Sequence, residues 1–94
     1  MKITIKIPAP LRVYVSNQRE VHLEDSFQTL KDALIKLTDE YPKLKDRLFD
    51  ESGSLRKFLT IFINNTNVRD FEGENTKLKD GDVVTILPAI AGGY

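Results

Sequence analysis

The sequence predicts an α+β domain in which one main helix lies across a mixed β-sheet. Residues 2–7 and 19–23 alternate apolar and polar side chains, which is the period of strands that bury one face. Residues 58–63 and 83–87 form two more strand-like runs, and the segment between the two pairs carries apolar residues at helical spacing. A chain of 94 residues is long enough for one domain with a single core.

The first two strands are expected to pair antiparallel because a short connection joins them. Their buried faces carry aliphatic side chains: Ile3, Ile5, Ile7, Val21 and Leu23. Pro8 and Pro10 end the first strand. Residues 13–15 have the pattern of a short extended piece, and residues 16–18 are typical of a turn. His22 falls on the outward face of the second strand, where we expect it to be solvated.

The main helix has sequence signals at both ends. Thr29 is expected to cap its start, with Asp32 as the other member of a capping box. Its apolar stripe consists of Leu30, Ala33, Leu34, Leu37 and Tyr41. The helix is expected to end at Tyr41, because the residue before Pro42 avoids helical backbone. Two leucines four residues apart after this proline predict one further short turn of helix.

The second half of the chain completes the sheet. Residues 58–63 are apolar on both faces, which is typical of a central strand that lies under the helix and is partly covered on its other side. A turn at residues 64–67 leads to a short returning strand that starts at Val68 and Arg69. After a loop with one helical turn, a tight turn at residues 80–82 leads into the last strand, which can insert beside the first.

The element order is strand, strand, helix, strand, short strand, strand, and it predicts the β-grasp arrangement. The right-handed crossover rule leaves few other topologies. A ferredoxin-like split βαβ fold is the main alternative. That fold needs a second long helix, for which the sequence has no pattern.

The composition excludes several classes of function. Fourteen Lys and Arg residues balance fourteen Asp and Glu residues, so no net field favours nucleic acid or a membrane surface. The chain has no cysteine and a single histidine, which excludes thiolate chemistry and a multi-histidine metal site. A Ser/His/Asp triad would have to use His22, so we do not expect an internal active site. No bilayer-length apolar run and no secretory signal are present, which favours the cytoplasm.

Residues 88–94 are expected to form a flexible tail on a domain of residues 1–87. Pro88 has no backbone N–H, so regular strand pairing is expected to end there. Three residues near the end present almost no side-chain bulk: Ala91, Gly92 and Gly93. A tail of this kind can enter a narrow channel in a partner. We therefore expect the chemistry at the tail and not within the domain.

Several motifs accompany the diglycine of this tail. They are Ile5-Lys6-Ile7-Pro8, Leu11-Arg12, Thr29-Leu30, Arg47-Leu48, Ile61-Phe62-Ile63-Asn64, Val68-Arg69 and Asp80-Gly81-Asp82-Val83-Val84-Thr85-Ile86-Leu87-Pro88-Ala89-Ile90-Ala91-Gly92-Gly93. Together they resemble the ubiquitin-like sulfur carriers, the family of the molybdopterin synthase small subunit and the thiamine sulfur carrier. Within that family the chain is most similar to the carrier of the thiocarboxylate route to cysteine. Gly-Gly alone is a weak signal, but after a Gly-Asp-x-Val-x-Ile-x-Pro strand it is a specific one.

The resemblance implies that the protein is a substrate and carrier, with no catalytic residue and no bound cofactor of its own. In this family an adenylating enzyme of the ubiquitin-activating type uses ATP and magnesium to convert the terminal glycine carboxylate to an acyl-adenylate. Sulfur then replaces the adenylate and leaves a thiocarboxylate, which here would be on Gly93. Ala91 and Gly92 would form the narrow part of the tail that enters the partner's active site. The implied acceptor is a cysteine synthase-like enzyme that depends on pyridoxal phosphate (PLP).

Tyr94 departs from the family pattern, whose mature form ends at the second glycine. The carboxyl group of Gly93 is tied up in the peptide bond to Tyr94, so it cannot be adenylated. Some relatives carry short extensions that a JAMM-type metallopeptidase removes, which implies that Tyr94 is cleaved before function. The alternative is that Tyr94 is an added residue, or a tolerated extension on an inactive homologue.

The sheet face opposite the helix is a second candidate site. If Leu59, Ile61 and Ile63 face the helix, the alternate residues of the last strands face the other side. These are Phe58, Thr60, Phe62, Val83, Thr85 and Leu87. An apolar patch beside the tail is expected to dock partner enzymes, and Phe58, Thr60, Phe62, Thr85 and Leu87 are its predicted contact residues. Alternatively, local loop residues cover this face.

Two other functions stay open at this point, and a third is disfavoured. The protein resembles molybdopterin synthase small subunits, which would bind a larger catalytic subunit. It also resembles protein modifiers, whose terminal glycine would be joined to lysines of target proteins. A β-grasp module that binds RNA is disfavoured by the neutral charge and the lack of a basic patch.

Overall fold

The computed structural model describes residues 1–88, which form a five-stranded sheet. The strands are β1 (Lys2–Lys6), β2 (Glu20–Glu24), β3 (Leu59–Ile63), β4 (Thr66–Asn67) and β5 (Val83–Pro88). Their order in the sheet is β2-β1-β5-β3-β4. β1 and β5 run parallel, and the other neighbouring pairs are antiparallel. This is the predicted β-grasp arrangement, with the last strand beside the first.

Two α-helices and four 3₁₀ segments complete the described part of the chain. The main helix is α1 (Leu30–Glu40), and the short turn predicted after it is α2 (Lys45–Leu48). The 3₁₀ segments are Ala9–Val15, Pro42–Leu44, Val68–Asp70 and Gly73–Asn75.

The predicted capping box at the start of α1 is confirmed. The backbone N–H of Asp32 donates to Thr29 Oγ1 (3.3 Å), and the backbone N–H of Thr29 donates to Asp32 Oδ2 (3.1 Å). The helix ends at Glu40, immediately before Tyr41 and Pro42. Thr29 and Asp32 therefore satisfy two backbone donors that an uncapped helix would leave to water.

The core lies between α1 and one face of the sheet. Every second residue of β1, β2 and β3 is buried, and α1 adds the stripe that its spacing predicts. The completely buried large side chains include Ile5, Leu30, Leu34, Leu37, Leu44, Leu48 and Val84. No helix of residues 1–88 packs on the other face of the sheet, which carries the predicted contact residues.

The prediction of an extended piece at residues 13–15 was wrong. These residues lie in the 3₁₀ segment Ala9–Val15, which has proline in its first turn. The fixed φ of proline suits a helix start. An extended piece with alternating faces would place Val13 on the same face as Leu11 and Val15, whereas here Leu11 and Val15 are buried and Val13 is 68% exposed.

The returning strand was predicted two residues too late. β4 is Thr66–Asn67, whereas Val68 and Arg69 belong to a 3₁₀ turn. The side-chain oxygen of Asn67 accepts the backbone N–H of Arg69 (2.9 Å) and so caps that turn. An Asn side chain that bonds the backbone two residues ahead competes with strand pairing, so β4 stops at Asn67.

β5, and not β3, is the central strand of the sheet. β5 pairs with β1 on one side and β3 on the other, over most of its length. β3 has only the two-residue β4 on its outer side. The doubly apolar pattern of residues 58–63 therefore reflects burial by α1 on one face and a half-buried opposite face, not a central position.

β5 includes Pro88, one residue beyond the predicted strand, and Pro88 pairs with Leu59. The rest of the predicted tail, with Ala91, Gly92, Gly93 and Tyr94, lies outside the described residues. Within residues 1–88, none of the helices combines the length and apolar character that crossing a membrane requires.

Candidate functional site

The sheet face opposite α1, here called the outer face, exposes apolar side chains near the end of β5. Phe58 immediately precedes β3 and is 47% exposed, and Leu87 of β5 is 43% exposed. Thr60, Phe62 and Thr85 are half-buried. Loops therefore leave nearly half of Phe58 and Leu87 open to solvent, and this face is available for contact.

The strand register brings four of the five predicted contact residues together, and Phe58 lies in the turn just before β3. Thr60 lies opposite Leu87, and Phe62 lies opposite Thr85, in the antiparallel pair of β3 and β5. Directly opposed side chains on one face of a sheet have Cβ atoms about 4.5–5.5 Å apart. We call Phe58, Thr60, Phe62, Thr85 and Leu87 the outer patch. The outer patch lies beside Pro88, the last described residue of β5.

The part of the outer face that lies over β1 and β2 is polar. Cross-strand pairs join Lys2 to Glu24 and Lys6 to Glu20. His22 is largely exposed, as predicted, but its Nδ1 lies 3.1 Å from the hydroxyl of Thr4. The outer face is therefore divided into an apolar half near Pro88 and a charged half away from it.

Two polar residues that the sequence reasoning missed hold the start of β5. Asp82 is buried, and its carboxylate accepts the backbone N–H of Lys79 (2.8 Å) and the side-chain amide of Asn64 (3.1 Å). The side-chain oxygen of Asn64 in turn accepts the backbone N–H of Val83 (3.1 Å). The sequence signal for this arrangement was the asparagine at position 64 of a predicted turn. Its backbone φ is 57°, in the left-handed region that asparagine adopts more readily than most residues.

These bonds fix the strand from which the tail extends. β5 is anchored at its start by Asn64 and Asp82 and is flanked by β1 and β3. A shift of one residue in its register would move Leu87 from the outer face to the core face. The arrangement thus presents Leu87 and Pro88 at a defined place on the domain.

Within residues 1–88, the side chains of His, Asp and Glu form no cluster that could hold a metal ion. The outer patch is a surface beside Pro88, the last described residue of the chain. Such a surface can dock a partner while the partner acts on the chain that follows.

Comparison with known proteins decides the family. The chain matches the ThiS family over residues 5–93, nearly its whole length. The chain belongs to the ThiS family. As a ThiS-family protein it is a ubiquitin-like sulfur carrier, as its motifs predicted.

The relatives of this ThiS-family chain cover it from end to end. The sulfur carrier protein CysO of Mycobacterium tuberculosis is 40% identical over 95 residues, which is 99% of this chain and all of the relative. The CysO chain in the crystal structure of the Amycolatopsis orientalis BexX/CysO complex has a TM-score of 0.84 and 33% identity, over 97% of this chain and 99% of that one. Small archaeal modifier protein 1 of Methanosarcina acetivorans has a TM-score of 0.86 and 36% identity, over 98% and 96%.

Proposed function

We propose that this protein carries sulfur as a thiocarboxylate on Gly93 and donates it in cysteine-type biosynthesis. Its acceptor is an enzyme of the PLP-dependent cysteine synthase type in the cytoplasm. The protein is a substrate at every step, and the catalytic groups belong to its partners.

The observation that carries the proposal is the diglycine at the end of β5 in a chain 40% identical to the sulfur carrier CysO. Five residues lead from Pro88 to Gly93, so an extended tail reaches at most about 18 Å beyond the strand. That length brings Gly93 into a partner's active site only if the partner docks close to Pro88. The outer patch lies at that place.

The chemistry of a glycine carboxylate fits the proposed step. A carboxylate is a poor electrophile until one oxygen becomes part of a leaving group. A partner enzyme of the ubiquitin-activating type supplies this by transferring AMP from ATP, with release of pyrophosphate. Sulfide then attacks the carbonyl carbon and displaces AMP, which leaves the thiocarboxylate. If a persulfide attacks instead, the product is an acyl disulfide, and a thiol of the partner must then cleave its S–S bond to release the thiocarboxylate. Gly93 has no side chain to obstruct that attack, and Gly92 keeps the approach narrow.

Tyr94 blocks this chemistry in the chain as it stands, because the carboxyl group of Gly93 is bonded to the nitrogen of Tyr94. We infer that a metallopeptidase of the JAMM type removes Tyr94 first. The experiment compares the full-length protein with a form that ends at Gly93, each incubated with the adenylating enzyme, ATP and magnesium. Intact mass spectrometry reads out the adenylate, and a form that ends at Gly92 is the control.

Only the form that ends at Gly93 is expected to gain the mass of an adenylate. With a sulfur donor present, it then gains the mass difference between sulfur and oxygen. An adenylate on the protein with Tyr94 still attached would overturn the processing step. No adenylate on the form that ends at Gly93 would overturn the carrier function itself.

The outer patch is the proposed docking surface for these partner enzymes. Phe58 and Leu87 offer exposed apolar area, and Phe62 lies opposite Thr85 on the same face. Exposed aromatic and aliphatic side chains of this kind commonly dominate binding energy at protein interfaces. That a CysO relative was crystallised in complex with BexX supports stable docking of a partner on this fold.

A protein modifier is the second candidate, because small archaeal modifier protein 1 shares this fold at 36% identity. In that case Gly93 would form an amide with lysine side chains of other proteins. Intact mass of the protein from its native cells separates the two functions. A sulfur-for-oxygen exchange supports the carrier, and conjugates of higher mass that contain the chain support the modifier.

A further inference from the structure

A groove of about 350 Å³ lies along the free edge of β3, away from the outer patch. β4 pairs only with Phe62 and Ile63, so no strand of the described residues lies beside the first part of β3. The 3₁₀ turns after β4 and the loop before β3 form the walls. The lining residues are Leu55, Arg56, Lys57, Leu59, Ile61, Asn67, Val68, Arg69, Gly73 and Glu74.

The floor of the groove is apolar. Leu59 and Ile61 are buried residues of β3, and Val68 is a buried residue of the turn after β4. All three belong to the hydrophobic core, so the groove is an opening at the margin of that core. An apolar side chain from outside could extend the core here and leave water.

The rim of the groove is positively charged. Arg56 donates through Nε to the backbone carbonyl of Asp46 (2.7 Å), and Arg69 donates through Nη2 to the backbone carbonyl of Lys57 (3.1 Å). These acceptors are carbonyl groups and not carboxylates. The ion pairs of residues 1–88 join His22 to Glu20, Lys31 to Glu74 and Lys36 to Asp25, so they use none of the three rim cations.

The one acidic side chain of the groove is already neutralised. Glu74 Oε1 lies 3.6 Å from Lys31 Nζ, and Glu74 Oε2 accepts the backbone N–H of Leu55 (3.3 Å). The remaining positive charge of the groove therefore comes from Arg56, Lys57 and Arg69, of which Arg56 also interacts electrostatically with Asp50. It is a local feature, because the formal net charge of the whole chain is zero.

We propose that this groove binds an extended acidic peptide segment of a partner protein. Carboxylates of the segment pair with the rim cations, and the planar fork of Arg69 suits a carboxylate. An apolar side chain of the segment rests on Leu59, Ile61 and Val68. The segment is extended because the groove follows a strand edge that lacks a neighbour.

Nucleic acid fits the groove less well than a peptide. Three cations around a narrow apolar floor offer little to a continuous phosphate backbone, which binds long basic surfaces. The groove is also separate from the proposed docking of partner enzymes. Its floor residues Leu59 and Ile61 point to the opposite side of β3 from Thr60 and Phe62. Groove and outer patch can thus be occupied at the same time.

The test uses the full chain labelled with ¹⁵N and a capped peptide that alternates valine and glutamate. Amide shifts in two-dimensional NMR should move at Leu59, Ile61, Val68 and Arg69, and the affinity should fall as salt is raised. Lys57→Glu should weaken binding at least tenfold, because the Lys57 side chain makes no hydrogen bond or ion pair within residues 1–88 and its loss leaves the fold intact. Arg69→Glu should do the same.

The matched control is Lys79→Glu, a change at an exposed lysine four residues before β5, and this variant should bind the peptide as the unaltered protein does. The proposal is overturned if a valine–lysine peptide binds equally well, or if the shifts map to the outer patch. It is also overturned if Lys57→Glu, shown to be folded by its spectrum, keeps full affinity. Tighter binding of a single-stranded uridine oligonucleotide at the same residues would assign the groove to nucleic acid instead.

Discussion

Thr60 of β3 lies directly opposite Leu87 of β5, one residue before the pair of Leu59 and Pro88 with which the described part of the chain ends. The register thus places the proposed docking surface next to the strand end that leads to the proposed sulfur-carrying residue. The last outward-facing side chain of the sheet belongs to the outer patch, and the residues after Pro88 lead to the diglycine. On the proposed function, a partner that covers Leu87 can reach Gly93, because only five residues lead from Pro88 to Gly93.

Replacing Phe62 with aspartate tests whether the outer patch docks the adenylating enzyme. Phe62 lies on the outer face opposite Thr85, so a carboxylate there would be desolvated in the interface. We expect Phe62→Asp to raise the Kd at least about tenfold, which corresponds to about 1.4 kcal/mol. Titration calorimetry of the adenylating enzyme with the form that ends at Gly93 measures the Kd, and circular dichroism checks that the variant is folded.

Ile35→Asp is the matched control for this change. Ile35 is 43% exposed on α1, on the opposite side of the domain from the outer face. The substitution Ile35→Asp should therefore leave the Kd unchanged. Equal affinity of Phe62→Asp and the unaltered protein would remove the outer patch from the docking surface. Equal loss in both variants would show that the effect is not specific to this face.

Leu34 and Ile35 are neighbours on α1, but only Leu34 packs in the core. Replacing each of them with alanine therefore tests how α1 packs on the sheet. Leu34 is fully buried and Ile35 is 43% exposed. Leu34→Ala should lower the free energy of unfolding by about 2–5 kcal/mol, because it leaves a cavity between helix and sheet. Ile35→Ala should change it by less than about 0.5 kcal/mol. Urea unfolding measures both, and similar values would contradict the packing of α1 on the sheet.

The capping box of α1 should contribute measurably to stability. Thr29→Ala removes the acceptor for the backbone N–H of Asp32 and should cost about 1 kcal/mol in the free energy of unfolding. Ser26→Ala is the control, since the hydroxyl of Ser26 makes no hydrogen bond within the described residues. A cost for Thr29→Ala no larger than that for Ser26→Ala would show that water replaces the cap without penalty.

Local patterns were sufficient to predict α1 and the first pair of strands. The spacing of Leu30, Leu34 and Leu37 repeats within one helix, and its cap at Thr29 is three residues from Asp32. The alternation in β1 and β2 likewise needs no distant partner. The outer patch could be predicted on the same grounds, because strand alternation alone separates Thr60 and Phe62 from their buried neighbours.

Features that depend on distant residues could not be predicted in this way. The central position of β5 follows from its pairing with β1, more than seventy residues earlier in the chain. The bond between Asn64 and Asp82, and the approach of Arg69 to Lys57, join residues from different elements. The 3₁₀ segment at Ala9–Val15 had a local signal, the proline in its first turn, but the alternating pattern of residues 13–15 favoured an extended piece.

Acidification should weaken the loop between α2 and β3 through Asp50. The hydroxyl of Ser52 donates to Asp50 Oδ1 (2.6 Å), and with the backbone N–H of Ser54 (3.1 Å) it lowers the pKa of Asp50 below its ordinary 3.8. A carboxyl group with a lowered pKa in the folded state stabilises that state above its unfolded pKa, and the contribution is lost as pH falls through the folded value. Asp50→Asn keeps an oxygen acceptor but does not titrate. Its stability should therefore decline less than that of the unaltered protein below about pH 4, measured by urea unfolding across acidic pH. Parallel declines would show that these hydrogen bonds do not favour the ionised form.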